Sequence, residues 1–232
     1  MPINYTLPGY SEHAKRTIRQ FLNGFFSQYA EDVVLSTLLN RGDLPRVGFY
    51  VDLGAYHPLQ YSNTMMLHML GWNGINIDAN PEVIELFKQA RPHDTNICAG
   101  ISDQNTVLNY HRFRLRGFNT FSGEQAAKLL AKGHQRRSIE KIECYEINEL
   151  LARHLPKQKH IDVLNIDLEG LDEKILKKLD WNQYCPSVLL TEAFLEDIED
   201  YVHSDIHVFI RNKGYTLISK SGHTAVYQKS TS

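Results

Sequence analysis

Acids recur in this chain at the points where apolar runs stop. Asp52 follows "FYV", Asp78 follows "GINI", and Ser102-Asp103 follows "TNICAGI". Asp167 and Glu169 follow "DVLNI", and Glu192 follows "VLLT". One acid in such a place is ordinarily a helix cap or a turn former. A set of them facing one crevice could do chemistry. Carboxylates accept the hydroxyls of a sugar, attract cations, bind hard divalent metals and take protons from alcohols.

The stretch "FYVDLGAYHPLQYSNT" narrows the chemistry. Gly54 lets the chain turn sharply and lets a ligand approach the backbone. Asp78, at the end of the next apolar run, is placed to accept both hydroxyls of a ribose. That pair suits NAD, FAD or S-adenosylmethionine. A pyrophosphate needs bare backbone at a helix N-terminus, and here Tyr56 and Pro58 stand where further glycines are expected. S-adenosylmethionine has no phosphate, and its sulfonium and ammonium suit an acid-lined crevice by Coulomb attraction.

The elements that must position these residues alternate. "VGFYVDLG", "GINIDANP", "TNICAGISD", "HIDVLNIDLEG" and "PSVLLTEAF" read as strands, and "TVLNYHRFRLRG" and "SIEKIECYEI" as further ones. Between them, "YSNTMMLHMLGW", "PEVIELFKQA", "SGEQAAKLLAKG" and "LDEKILKKLDW" read as helices. Pro81 opens one of these, and the Ser62-Asn63-Thr64 triplet is expected to cap another. "LEDIEDYVHSDIHVFIRNKG" is expected to form one helix, and "YTLISKSGHTAVYQK" a hairpin about Ser221-Gly222. Nearer the start, Ser27 is expected to cap "SQYAEDVVLSTLLN", after a short basic helix in "SEHAKRTIRQFLNGF". Such β–α–β alternation predicts an α/β fold. It has a mostly parallel sheet, helices on both faces and a C-terminal antiparallel hairpin, with ligands at the carboxyl ends of the strands. The expected division is an N-terminal helical arm over 1–42 and one domain over 43–232. An insert at 104–146 is expected to shape an acceptor pocket.

The bulk properties agree. A chain of 232 residues with 42% hydrophobic and 22% charged residues can bury a core. A net charge of −2 gives no global pull toward nucleic acid or anionic membranes. Cys98, Cys144 and Cys185 are far apart, which argues against a zinc ribbon or disulfide scaffold and fits a reducing compartment. No apolar signal core or run of ~20 apolar residues occurs, so a cytoplasmic protein without a membrane span is expected.

"FSQYAEDVVL", "FYVDLGAYHPLQYSNT", "GWNGINIDANP", "RPHDTNICAGIS", "FNTFS", "IDVLNIDLEGLDEKIL" and "YCPSVLLTE" occur in one order across residues 26–192. Together they resemble the FkbM-type S-adenosylmethionine-dependent methyltransferases. The chain differs from many relatives in carrying Asn165 two residues before Asp167, and Ala55-Tyr56-His57-Pro58 in place of a "GANxG" loop. The resemblance implies a Rossmann-like class I methyltransferase fold. It also implies transfer of a methyl group from S-adenosylmethionine to a hydroxyl, often on a saccharide or nucleotide sugar. Asp52, Gly54, Ala55 and Tyr56 would line the methionine portion, Asn63 would also bind the cofactor, Asp78 would hold the ribose, and Ala79 would lie beside the adenine. Ser102 and Asp103 would lie near the adenine edge, and Asp167 would face the methionine amine or the reacting centre.

An alcohol is a poor nucleophile at neutral pH, so a base is expected near it. Glu169 is the first candidate, with Asp167, Glu192, His57 and His223 as others. Glu169 could equally be a first-turn acid favoured by the helix dipole. Asp167, Glu169 and Glu192 could alternatively group around Mg²⁺ or Mn²⁺. His203 and His207 have the spacing of a helical zinc pair but lack the glutamate and third ligand of such sites. For the acceptor, strand alternation would put Arg112, Arg114 and Arg116 on one face, with Lys132, Arg136 and Arg137 nearby, as a patch for phosphate. Asn119 and Thr120 would bond a sugar, and His223 would stand by. A saccharide or nucleotide-sugar acceptor is the expected partner, no nucleic acid is expected, and a homo-oligomer stays open. Three competing readings remain. One is a nicotinamide-dependent oxidoreductase, which the glycine-poor loop and the lack of a Tyr-x-x-x-Lys pair disfavour. Another is a methyltransferase for a non-sugar molecule. The last is a non-catalytic binding domain, reaching RNA through "KGHQRRSIEK".

Overall fold

The computed structural model describes residues 25–195 and 197–230. The basic helix expected before Gly24 lies outside them. Ten strands and eight helices are described. The strands are β1 Phe49–Leu53, β2 Asn73–Asp78, β3 Thr95–Cys98, β4 Gly100–Ser102, β5 Thr106–Phe113, β6 Arg136–Glu146, β7 Val163–Ile166, β8 Val188–Glu192, β9 Tyr215–Ser221 and β10 Thr224–Lys229. The helices are α1 Glu31–Arg41, α2 Met65–Met69, α3 Pro81–Ala90, α4 Gly123–Ala131, α5 Ile147–His154, α6 Asp172–Lys178, α7 Ile198–Val202 and α8 Asp205–Asn212.

Seven strands make one sheet in the order β3-β2-β1-β7-β8-β10-β9. The first five are parallel, and the β9–β10 hairpin adds two antiparallel strands. This is the mixed, mostly parallel arrangement expected of a methyltransferase, with a hairpin at one end. Strand alternation explains how both faces are covered. Val51, Leu53, Leu164, Ile166, Leu189, Ala225 and Tyr227 point into a core shared with α5, α6, α7 and α8. Tyr50, Val163, Val188, Leu190 and Val226 point the other way, onto Leu35 and Leu38 of α1 and Leu67 of α2.

Three local expectations are corrected. "TNICAGIS" is not one strand: β3 belongs to the main sheet, while β4 joins β6 and β5 in a separate three-stranded sheet. The chain changes sheet at the buried Ala99, inside an apolar run whose pattern does not reveal the switch. "LEDIEDYVHSDIHVFIRNKG" breaks into α7 and α8, because the Ser204 hydroxyl accepts from the His207 amide and starts a new helix. His203 and His207 therefore do not share a helix, and His207 Nδ1 meets the Tyr227 hydroxyl at 2.9 Å. Finally, Ser27 does not cap α1 directly. It bonds Asp32 at 2.9 Å, and the helix begins at Glu31 after Ala30 takes a left-handed conformation.

Residues 104–146, expected as an insert, form β5, a single 3-10 turn at Arg116–Phe118, α4 and β6. Thr120 ties this unit to the main sheet, its hydroxyl donating to the Glu169 carbonyl at 2.7 Å.

Candidate functional site

A crevice of about 840 Å³ opens along the carboxyl ends of the parallel strands. The size is near the top of the range for pockets that take one drug-sized molecule, leaving room for two ligands side by side. Asp52, Asp78, Asp167, Glu169 and Glu192 all line it. β1 lies between β2 and β7, so the Gly54 turn sits between Asp78 on one side and Asp167 on the other.

Gly54 has φ +81, and the Gly54 and Ala55 amides both donate to the Ile77 carbonyl, at 2.9 and 3.1 Å. The Tyr56 amide then donates to Asp78 Oδ2 at 3.1 Å, and the His57 amide to the Ala55 carbonyl at 2.6 Å. His57 Nδ1 accepts from the Leu59 and Gln60 amides, each at 3.0 Å. Pro58 has no amide hydrogen. From Gly54 to Gln60, therefore, every backbone donor is committed, to β2 or within the loop. His57 itself shapes the loop and is absent from the crevice lining.

The loop is fastened from below by Arg91, a fully buried residue. Its guanidinium donates to the Pro58 carbonyl at 2.6 Å, the Ser62 hydroxyl at 2.8 Å, the Thr64 hydroxyl at 2.9 Å and the Tyr50 hydroxyl at 3.3 Å. Thr64 in turn donates to Asp52 at 2.7 Å, Asn165 donates to the other Asp52 oxygen at 2.8 Å, and Asn63 donates to Asn165 at 2.9 Å. The Ser62-Asn63-Thr64 triplet is thus spent on this network, and α2 has no side-chain cap. Tyr56, Tyr61 and Glu169, non-glycine residues with φ of 52, 52 and 50, all line the crevice. Such conformations persist where the surroundings over-determine them, and they gather at functional sites. Replacing Arg91 by Met should cost about 2–3 kcal/mol, because several buried acceptors lose their donor. Urea unfolding of the R91M protein measures this.

Asp78 receives two backbone donors, Tyr56 and Asn80, at 3.1 and 2.7 Å. Burial nevertheless pushes its carboxyl up to about 6. Across the turn, one ligand atom from each of Asp167, Glu169 and Glu192 lies within 4.8 Å of the others. Glu192 Oε2 is buried and has no hydrogen-bond partner among the described residues. Burial, reinforced by the neighbouring negative charges, raises Asp167 and Glu192 well above the usual carboxylate range. Glu169 reaches about 8, from burial first and the Asp172 charge second. Asp172, itself raised to about 6 by burial, accepts from the Leu168 and Gly170 amides at 3.3–3.4 Å. Asp172 and Glu173 occupy the first turn of α6. Glu169 precedes that helix, so the first-turn positions favoured by the helix dipole belong to Asp172 and Glu173, and Glu169 lines the crevice instead. Three carboxylates this close could hold a divalent cation or share protons.

These raised values have a consequence for stability. The folded protein keeps protons on Asp78, Asp172 and Glu169 that the unfolded chain has already released near pH 4, so stability falls as pH rises from about 4 to about 8. The melting temperature of the ligand-free protein should drop by several degrees between pH 5 and pH 8.5, as scanning calorimetry can measure.

The remaining expected site residues divide. Ala55, Tyr56, Asn63 and Ala79 line the crevice, as do Arg116, Asn119, Thr120 and His223. His223 Nδ1 is buried without a partner among the described residues, and its ring stands edge-on to Tyr29 at 5.8 Å. Asn119 holds its own loop, accepting from the Phe113 amide at 2.8 Å. Ser102 and Asp103 do not line the crevice. Ser102 bonds Asp103 at 3.1 Å, Asp103 pairs with Lys174 at 2.9 Å, and Ala99 and Ile101 take the expected place. The three arginines do not share a strand face, because β5 ends at Phe113 with an irregular register there. Arg112 lies between Glu82 and Glu140, each at 3.4 Å, and Arg116 pairs with Glu82 at 3.0 Å. Arg114 lines a separate recess of about 210 Å³.

Sequence reasoning missed Arg91, which looks like an ordinary cation at a helix end and is buried beneath the loop, and Gln28, Tyr29, Phe121, Lys128 and Phe194, which line the crevice. Gln28, Tyr29 and Phe121 lie in stretches that carry the family resemblance, and Phe194 stands two residues past a strand-end acid.

No helix among the described residues is long and apolar enough to cross a membrane. A comparison with curated proteins finds no match. Residues 52–217 match the methyltransferase FkbM domain, a span that runs from the first strand-end acid to the hairpin and contains nearly all of the crevice. The chain belongs to the FkbM methyltransferase family.

Proposed function

We propose that this chain is an S-adenosylmethionine-dependent O-methyltransferase whose acceptor is the hydroxyl of a saccharide. The observation that carries the cofactor is the closed amide account of the 54–60 loop. A pyrophosphate would find no free backbone donor there. A nucleoside without phosphate needs none. That disfavours a nicotinamide enzyme on structural grounds as well as on glycine count.

Bound in the crevice, S-adenosylmethionine supplies a sulfonium methyl group that an acceptor oxygen takes in line, leaving a neutral thioether. Asp78 accepts the ribose hydroxyls, and Ala79, Ala99 and Ile101 provide an apolar slot for the adenine. Asp52 is held by Thr64 and Asn165 and fixes the floor beneath the methionine portion. The carboxyls of Asp167 and Glu192 favour a cationic ligand. Glu169 receives the proton of the acceptor hydroxyl. Its raised value keeps it largely protonated in the empty protein at neutral pH, so the acceptor reaction should speed up as pH rises toward about 8. The nearby sulfonium shifts that rise to lower pH in the loaded enzyme. Tyr29, Tyr56, Tyr61 and Phe194 supply aromatic walls suited to a sugar ring.

A second route is favoured by the spacing of the three carboxylates and by the unpartnered Glu192 oxygen. There Asp167, Glu169 and Glu192 hold Mg²⁺ or Mn²⁺, which acidifies the hydroxyl instead. Transfer of radiolabelled methyl groups to a panel of free and nucleotide-linked sugars tests the function, with and without a chelator. Label on no saccharide contradicts the acceptor class. Loss on chelation with recovery in Mg²⁺ or Mn²⁺ selects the metal route, and indifference to chelation selects Glu169 as base. We place the enzyme in the cytoplasm, with no nucleic-acid partner, as the scattered cysteines and the net charge of −2 favour.

A further inference from the structure

We propose that the acceptor carries a phosphate group and that Lys128 and Lys132 bind it. The inference rests on the methyltransferase reading above and adds a charge requirement to its acceptor. Gln125, Lys128, Leu129 and Lys132 follow one another at helical spacing, and all four line the crevice. The row begins beside the carboxylates: a Cβ at Gly170 would lie 3.7 Å from that of Gln125. From there it runs away from Glu169 for about two turns, roughly 10 Å. The crevice is therefore polarised, with acids at the strand ends and ammonium groups along α4. An anionic group is better placed at the lysines than among the carboxyls, while a hydroxyl faces Glu169.

The other cations of this wall are committed. Arg116 is paired with Glu82 and Arg112 with Glu82 and Glu140, and Arg114 faces a different recess. Lys132 has no carboxylate partner among the described residues. Lys128 pairs with Glu124 at 2.7 Å, but both side chains are more than half exposed, and such a solvent-screened pair yields readily to a phosphate. Lysines near the end of a helix also favour its dipole. That does not explain which side they take. The exposed residues of α4 that do not line the crevice are Gly123, Glu124, Ala127, Leu130 and Ala131, with no cation among them. Two ammonium groups one turn apart match a phosphate, which offers several oxygens and up to two charges.

Phosphate could come from a glycosyl phosphate or from a nucleoside diphosphate sugar, so the test carries both. Calorimetry on protein saturated with S-adenosylhomocysteine would compare glucose 1-phosphate, UDP-glucose and methyl glucoside. At least one phosphorylated probe is expected to bind about tenfold or more tightly than methyl glucoside, with the advantage shrinking as salt is added. Which of the two prevails names the source. In the double variant Lys128→Gln, Lys132→Gln that advantage should disappear, while Lys128→Arg, Lys132→Arg keeps most of it and S-adenosylhomocysteine affinity stays unchanged in both. The inference fails if neither phosphorylated probe outbinds methyl glucoside, or if the glutamine variant binds them as the parent does. If S-adenosylhomocysteine itself does not bind, the cofactor reading falls and this inference with it; if it binds and phosphate confers no advantage, this inference alone falls.

Discussion

Glu169→Gln is expected to slow methyl transfer by about 10²- to 10⁴-fold while leaving S-adenosylhomocysteine affinity nearly unchanged. The glutamine is isosteric and keeps the backbone of the 168–170 turn, which is held by Asp172 and Thr120 rather than by the Glu169 side chain. What it loses is the capacity to accept a proton. Steady-state rates at saturating cofactor, set beside calorimetric affinities, separate the two effects. The pH profile adds a readout that a merely structural role would not move. The parent rate should rise with pH as Glu169 ionises, from a value of about 8 in the empty protein, and the variant should lack that limb. A variant that retains the parent rate would remove Glu169 from the chemistry and leave Asp167 or Glu192 as the base.

Gly54→Ala is expected to abolish cofactor binding and to cost roughly 4 kcal/mol or more of stability when its two penalties are added. The residue sits at φ +81, where an L side chain is strained. A Cβ there would fall on the Asp167 carbonyl oxygen, with the carbonyl carbon only 2.8 Å away. Backbone cannot swing aside as a flexible side chain can. The Gly54 and Ala55 amides both lean on Ile77, and the Asp167 amide leans on Leu53 at 2.9 Å, so relieving the clash would separate β1 from β2 or β7. Denaturant unfolding measures the cost, and calorimetry with S-adenosylhomocysteine measures the loss of binding. A stable Gly54→Ala protein with normal affinity would mean that the turn is not where the ligand meets the backbone.

Much of the frame was legible because each part had a local cause. The parallel strands are mostly apolar runs, broken by buried polar residues such as Asn76 and Asn165, and acids recur at or near the carboxyl ends of those around the crevice. Pro81 announced α3, and the structure adds Asn80 as its cap and Ser122 as the cap of α4. What stayed hidden depended on partners distant in sequence. Nothing local to Arg91 says that it will be buried 27 residues from Thr64 and 33 from Pro58, and only the folded chain shows it gripping the loop. The bend at Ala99 was hidden by apolar residues on both sides of it. The arginines of "HRFRLRG" looked like one face because alternation was extended beyond the end of β5. Lys128 looked like an ordinary surface residue, since helical periodicity does not say which polar side of an insert faces a crevice.

The loop that raised the cofactor question now has a physical account. One glycine suffices because the bulky residues after it are not obstacles to a phosphate. They are part of a loop whose amides are already consumed, by Ile77, Asp78, Ala55 and His57. Calorimetric titration of the parent protein and of Asp78→Ala with S-adenosylhomocysteine, with NADH in parallel, tests this most directly. The account predicts one S-adenosylhomocysteine per chain for the parent, a clear loss of affinity for the variant and no binding of NADH. Binding of NADH, or no binding of S-adenosylhomocysteine to a folded parent protein, would contradict it.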